Sequence, residues 1–258
     1  MTQTMSGGAG ISTPDPATAD RESLDSSSCR FAGTGADAPG RVEVAMPRDL
    51  FNRLTDHDEA PTCRYETATG RAEFVAEPTF AHESRAAVAG ELFTRVAVEL
   101  EAAGSPIETQ ASRATRLLSD EGAFEPDEGL FIGSERIAAA ERAGGWLDVR
   151  RGHPVPDLVV EIDRSTQSSG KLAPYFRMGV REAWTWSRRG GASIWVPGGA
   201  APEPVRGIAA SRVLPGATRD ALDELFGLPS RSARMPAMRQ LARRVASELV
   251  GRDAGAHA

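Results

Sequence analysis

The sequence predicts an α/β (α+β) fold, a central mixed β-sheet flanked by helices, and three observations carry that expectation. Residues 158–162 are β-branched and aliphatic except for Glu161, which marks a strand buried on both faces. Between 78 and 103, Val88, Leu92, Val96 and Leu100 recur every fourth residue, as the apolar stripe of a helix does. Trp184 and Trp186 alternate with small residues ahead of Arg189-Gly190-Gly191, which predicts a hairpin returning through 193–196.

In chain order, residues 1–40 are rich in Ser, Gly, Ala and Asp, with Phe31 their only aromatic. Such a segment buries too little apolar surface to offset chain entropy and is expected to be a disordered tail. A core follows over 60–228. It opens with a hairpin over 64–75 about Thr69-Gly70. The helix of 78–103 carries His82, Glu83 and Arg85 in its first turns and ends at Gly104-Ser105-Pro106. Short strands are expected at 107–110, 114–118 and 129–132, then at 158–162. A helix of about 170–178 must begin near Gly170, because Pro174 is tolerated only in a first turn. Beyond Pro229, the region 230–251 is an amphipathic helix with Met238, Leu241, Val245 and Leu249 on its apolar side. Its Arg239, Arg243 and Arg244 form either a solvated face or a DNA-contacting one.

Composition narrows the function classes. The formal charge of −6 and hydrophobic share of 40% over 258 residues suit a soluble globular protein and argue against a wholly basic nucleic-acid wrapper. Between 150 and 190 the balance reverses, with eight Lys/Arg against four Asp/Glu. Cys29 and Cys63 are isolated, so neither a disulfide framework nor a zinc ribbon is supported. The four histidines lack HxxxH or HxH spacing, which disfavours a zinc hydrolase. No apolar run reaches membrane-span length and no signal-peptide pattern opens the chain; a cytoplasmic protein without a membrane partner is expected.

The chemistry concentrates around one residue. Of thirty Lys and Arg, only Lys171 is a lysine. Arginine substitutes for lysine on surfaces, but not where a compact, flexible ammonium is required. Ten residues earlier stands Glu161, in a strand whose period places Asp157, Val159 and Glu161 on one face and Leu158, Val160 and Ile162 on the other. A carboxylate in an apolar buried strand is costly unless paired, protonated or metal-bound. Asp127, from a neighbouring strand, would complete a hard-oxygen pocket suited to Mg²⁺ or Mn²⁺. Lys171 at the start of the next helix either positions water for in-line attack or forms a structural ion pair with Glu161. Tyr175, one turn on, either orients that lysine or fills the core.

Four segments together resemble a known family: Glu125-Pro-Asp-Glu-Gly-Leu-Phe-Ile132, Pro156-Asp-Leu-Val-Val-Glu-Ile-Asp163, Lys171-Leu-Ala-Pro-Tyr175 and Gly179-Val-Arg-Glu-Ala-Trp184. In order and content they look like the signatures of the putative restriction endonuclease family, the bacterial Uma-type proteins, within the PD-(D/E)XK nuclease superfamily. The resemblance covers about 64 to 228. It implies a restriction-endonuclease-like core with a divalent metal at one end of the sheet, Asp127 and Glu161 as its ligands and Lys171 as the third catalytic residue. The superfamily's lysine two positions after the glutamate is replaced here by Asp163, which either adds a ligand or caps the following turn. Glu83 matches a position where a further carboxylate is often supplied, and an acidic side chain also suits a helix start. The function implied is Mg²⁺-dependent endonucleolytic hydrolysis of DNA by a metal-activated water, with Asp157 assisting or ordering its strand. Its rivals are a non-catalytic nucleic-acid-binding module and a dimeric interaction protein that keep the fold; a homodimer is compatible with each.

Overall fold

In the computed structural model of the chain the residues described are 29–32, 41–55, 63–75, 80–113, 115–144, 146–163, 172–198 and 205–256. The aliphatic run becomes strand β10 (Leu158–Asp163), the axis of a six-stranded mixed sheet. Its outer members are β5 (Thr109–Arg113), β8 (Glu128–Ile132), β11 (Glu182–Ser187), β12 (Gly191–Pro197) and β13 (Val205–Ile208), in the order β13-β12-β11-β10-β8-β5. β10 pairs parallel with β11 and antiparallel with β8. With partners on both sides and packed elements over both faces, the strand is apolar from Leu158 to Val160 and at Ile162, and its carboxylates fall at its end.

The two faces divide as the period of two requires. Leu158, Val160 and Ile162 enter a large core built with α2 (Phe80–Ala102), α5 (Arg219–Gly227) and α6 (Arg231–Ala256). Val159 enters a second core with Leu172 and Tyr175 of α4 (Leu172–Arg177) and with Phe124 and Leu117. Pro174 sits in the first turn of α4, where its missing N–H costs no hydrogen bond. α6 lies against α2 through buried Met238, Leu241, Ala242 and Val245, while Arg231 and Arg243 pair with Glu91 and Glu99. The terminal helix is thus a packing element, and Arg243 faces an acidic partner.

One expectation needs enlargement. The hairpin of β3 (Cys63–Glu66) and β4 (Arg71–Val75) does not join the central sheet. It belongs to a second, seven-stranded mixed sheet with β1 (Cys29–Ala32), β2 (Arg41–Ala45), β6 (Leu117–Ser119), β7 (Gly122–Phe124) and β9 (Leu147–Asp148). α1 (Arg48–Thr55) covers this sheet, with Phe51 fully buried against Tyr65 at a 5.1 Å ring separation. The core therefore begins before residue 60. Of the expected tail, the described part is β1, which pairs with β2. The strands expected at 107–110 and 114–118 are displaced to Thr109–Arg113 and Leu117–Ser119, and α3 (Ser134–Ala143) was unanticipated.

Two buried polar knots fix the frame. Glu182, fully buried, accepts from Trp184 Nε1 at 2.7 Å and from the backbone N–H groups of Arg212 and Val213 at 2.7 and 3.3 Å, locking the loop before α5. This gives the Gly179-Val-Arg-Glu-Ala-Trp184 segment a structural role. Arg116 donates to Thr55 O at 2.8 Å, faces Glu125 at 3.5 Å and stacks on Trp146. Beside it Cys63 is buried, and that burial raises its thiol to about 11, leaving it protonated and inert.

Candidate active site

Because β8 and β10 run antiparallel, their two Pro-Asp pairs go to opposite edges of the sheet. The register Val160↔Glu128 carries on to set Asp127, just before β8, beside Glu161 near the end of β10. Asp127 Oδ2 accepts the Ile162 backbone N–H at 2.6 Å. Glu161 Oε1 accepts the Tyr175 hydroxyl, also at 2.6 Å. Each carboxylate is therefore aimed by its own donor. Tyr175 is buried in the second core, and burial followed by the neighbouring Glu161 charge pushes its phenol well above the ordinary value, so it remains a donor. Its role is to hold the glutamate, which goes beyond filling the core.

A residue that sequence reasoning did not single out completes the cluster. His82, in the first turn of α2, places Nε2 3.4 Å from Asp127 Oδ2. The contact with Asp127 holds the imidazole above its ordinary value against the opposing effect of burial, and the charges of Asp127 and Glu161 add to the shift. Its Nδ1 is buried without a hydrogen bond, with Glu83 Oε1 3.5 Å away. The available signal was its place in the first helical turn next to Glu83. Its partner lies 45 positions later in sequence, a contact that no local pattern reveals.

The auxiliary candidates separate. Glu83 forms an ion pair with Arg113 of β5, whose Nε is also 3.9 Å from Glu128. Asp157 lies at the far end of β10 from Glu161. There it accepts the Ile132 N–H at 2.9 Å and faces Arg181 and Arg136 at 3.1 and 3.6 Å, so it orders the strand and does not share the carboxylate edge. Asp163 closes β10, and its side chain lies outside the described residues. Lys171 also lies outside them; it is the residue immediately before Leu172, where α4 begins.

Among the described residues no three His, Cys, Asp or Glu side chains form a closed metal cage. The donor set at this edge is two hard carboxylates, each pre-oriented, with the Asp127 side chain 17% exposed. Mg²⁺ is commonly held by one or two carboxylates and completes its shell with water and substrate phosphate oxygens. The pair fits such an open centre and not a closed structural one.

Residues 48–204 match the family model Uma2, described as putative restriction endonuclease. No curated protein matches. Among solved structures, the crystal structure of a putative nuclease belonging to DUF820 from Anabaena variabilis ATCC 29413 is similar. It has 15% sequence identity and a TM-score of 0.42, over 76% of this chain and 99% of that one. The family match spans well over half of the 258 residues and encloses Asp127, Glu161 and Tyr175, so this chain is a member of the Uma2 putative restriction endonuclease family.

Proposed function

We propose that the protein is a divalent-metal-dependent nuclease that hydrolyses phosphodiester bonds of DNA at the edge formed by Asp127 and Glu161. The observation that carries this reading is the meeting of two carboxylates from neighbouring strands, each oriented by a separate hydrogen bond. A bound Mg²⁺ or Mn²⁺ would supply Lewis-acid activation of water and charge neutralisation at phosphorus. Asp127 and Glu161 would hold it.

The chain's own residues divide the remaining work. The Ile162 N–H and the Tyr175 hydroxyl keep the carboxylate oxygens in place, so no reorganisation is needed when substrate arrives. His82 lies beside Asp127, whose contact raises the imidazole above its ordinary value, and its protonated form would balance charge at the edge. Lys171 would take the place of the superfamily's displaced lysine, its ammonium supplying the charge to hold the attacking water and to offset negative charge on the phosphoryl oxygens. Tyr175 follows Lys171 by four residues and bonds to Glu161, which ties the start of α4 to the carboxylate edge.

The test is incubation of the purified chain with single-stranded, duplex and branched DNA in Mg²⁺ or Mn²⁺. Cleavage is expected, lost in EDTA and in Glu161→Gln and strongly reduced in Lys171→Arg. Absence of cleavage of every substrate, or full activity in Lys171→Arg, counts against the proposal.

A further inference from the structure

On the α2 side of the same sheet edge, a second cluster gathers positive charge with no acidic partner among the described residues. Arg85 lies three residues beyond His82, about 4.5 Å further along the helix axis. Its guanidinium sits over the Trp186 indole, 5.0 Å from the ring centre. Trp186 is the strand partner of Ile162, the residue after Glu161. Arg188 follows in the turn that closes β11, and Arg234 projects from the first turn of α6.

Arg188 is exposed, but three N–H groups of the other members are buried with no acceptor. Arg234 is 7% exposed and Trp186 8%. Arg234 Nη1, Arg85 Nε and Trp186 Nε1 are each buried without a hydrogen bond. Burial, and then the charges of Arg234 and Arg188, hold the Arg85 guanidinium below its ordinary value. Other arginines beside α2 are matched, Arg231 to Glu91, Arg243 to Glu99 and Arg113 to Glu83. Crowded like charges with unmet N–H groups are unfavourable, and an anion placed among them relieves both faults.

We infer that Arg85, Arg188, Arg234 and the Trp186 indole N–H form an anion site that takes a phosphate group. Planar guanidinium forks suit the tetrahedral oxyanion, and the indole adds a directed neutral donor. The site lies on the α2 face of the same sheet, on the strand next to β10, where Trp186 pairs with Ile162. A nucleic-acid chain crossing this edge would present one phosphodiester to the carboxylates and a neighbouring phosphate to the arginines. That role rests on the nuclease reading; the binding of phosphate does not.

The test uses the full chain in EDTA. Calorimetry follows inorganic phosphate at constant ionic strength with chloride as control, and fluorescence anisotropy follows a labelled single-stranded oligodeoxynucleotide over a salt series. Wild type and Arg243→Gln, whose guanidinium is already matched by Glu99, are expected to bind phosphate equally. The Arg85→Gln/Arg188→Gln double variant and Arg234→Met are each expected to lose about tenfold or more. For the oligonucleotide, the slope of log K against log salt should fall by about 0.7 for one lost phosphate contact. Circular dichroism checks folding, and the exposed Arg188→Gln single variant keeps the test open if Arg234→Met does not fold. Phosphate binding without oligonucleotide binding assigns the site to free phosphate or a monoester and supports the inference. No phosphate affinity in wild type, or undiminished affinity in the Arg85/Arg188 variant, overturns it. Neither metal nor cleavage enters these measurements, so failure of the nuclease reading would register separately, as absent Mg²⁺-dependent cleavage.

Discussion

Replacing Glu128 with glutamine removes a charge that the fold holds against its preference. Glu128 opens β8 with 4% exposure, opposite Val160 on one side and Arg113 on the other. Its carboxyl turns toward α2, where Gly90 leaves it room: a Cβ on that glycine would stand 3.0 Å from Glu128 Oε1. Burial raises the carboxyl from its ordinary 4.5 to about 7, with Arg113 opposing and Asp127 assisting. A native value above the unfolded one means that ionisation works against folding. The penalty is absent below about pH 4.5, grows as pH rises toward 7 and is complete above it. Its size is about 3 kcal/mol, at about 1.36 kcal/mol per pH unit. Glu128→Gln should therefore be more stable than wild type by up to about 3 kcal/mol at pH 8.5, with the gap closing near pH 4.5. Urea unfolding followed by tryptophan fluorescence across that range measures it. A gap independent of pH, or a variant less stable at pH 8.5, refutes the reasoning.

Three further outcomes follow from the same frame. Tyr175→Phe removes the donor to Glu161 and should cost about 2 kcal/mol in urea unfolding, as expected for a hydrogen bond to a charged acceptor. Asp157→Asn strips a nearly fully buried carboxylate from Ile132, Arg181 and Arg136. It should lower stability by about 3 kcal/mol while leaving the cleavage rate per folded molecule unchanged. His82, observed by NMR, should titrate above its ordinary 6.5 and fall back toward it in Asp127→Asn. Correspondingly, its stabilising contact is complete below about pH 6.5 and is lost as pH rises through the raised native value.

The parts of this molecule legible in the sequence are those set by short-range periodicity. The aliphatic run of β10, the four-residue stripe of α2 and the tryptophan alternation of β11 each report their own burial. Strand alternation also placed Glu161 and Val159 on the face opposite Val160, and family resemblance brought Asp127 to the same edge. Elsewhere the information is non-local. β6 and β7 have three residues each, too few for a period to emerge. α3 has no fully buried residue and so carries no strong apolar stripe. α5 is announced only by Thr218, whose hydroxyl caps the Ala221 N–H at 3.2 Å. The antiparallel pairing of β8 with β10 sets Asp127 beside Glu161 and away from Asp157, and no sequence pattern states that direction. His82 and the arginine cluster are likewise products of helix-on-sheet packing, which brings α2, β11 and α6 together.

The central claim is that Asp127 and Glu161 act together as a divalent-cation centre, and its most direct test is calorimetric titration of Mn²⁺ and Mg²⁺ into the full chain. Single-site binding is expected, weakened about tenfold or more in both Asp127→Asn and Glu161→Gln, and largely kept in Glu83→Gln, whose carboxylate is engaged by Arg113. Affinity unchanged in either of the first two variants would contradict the account.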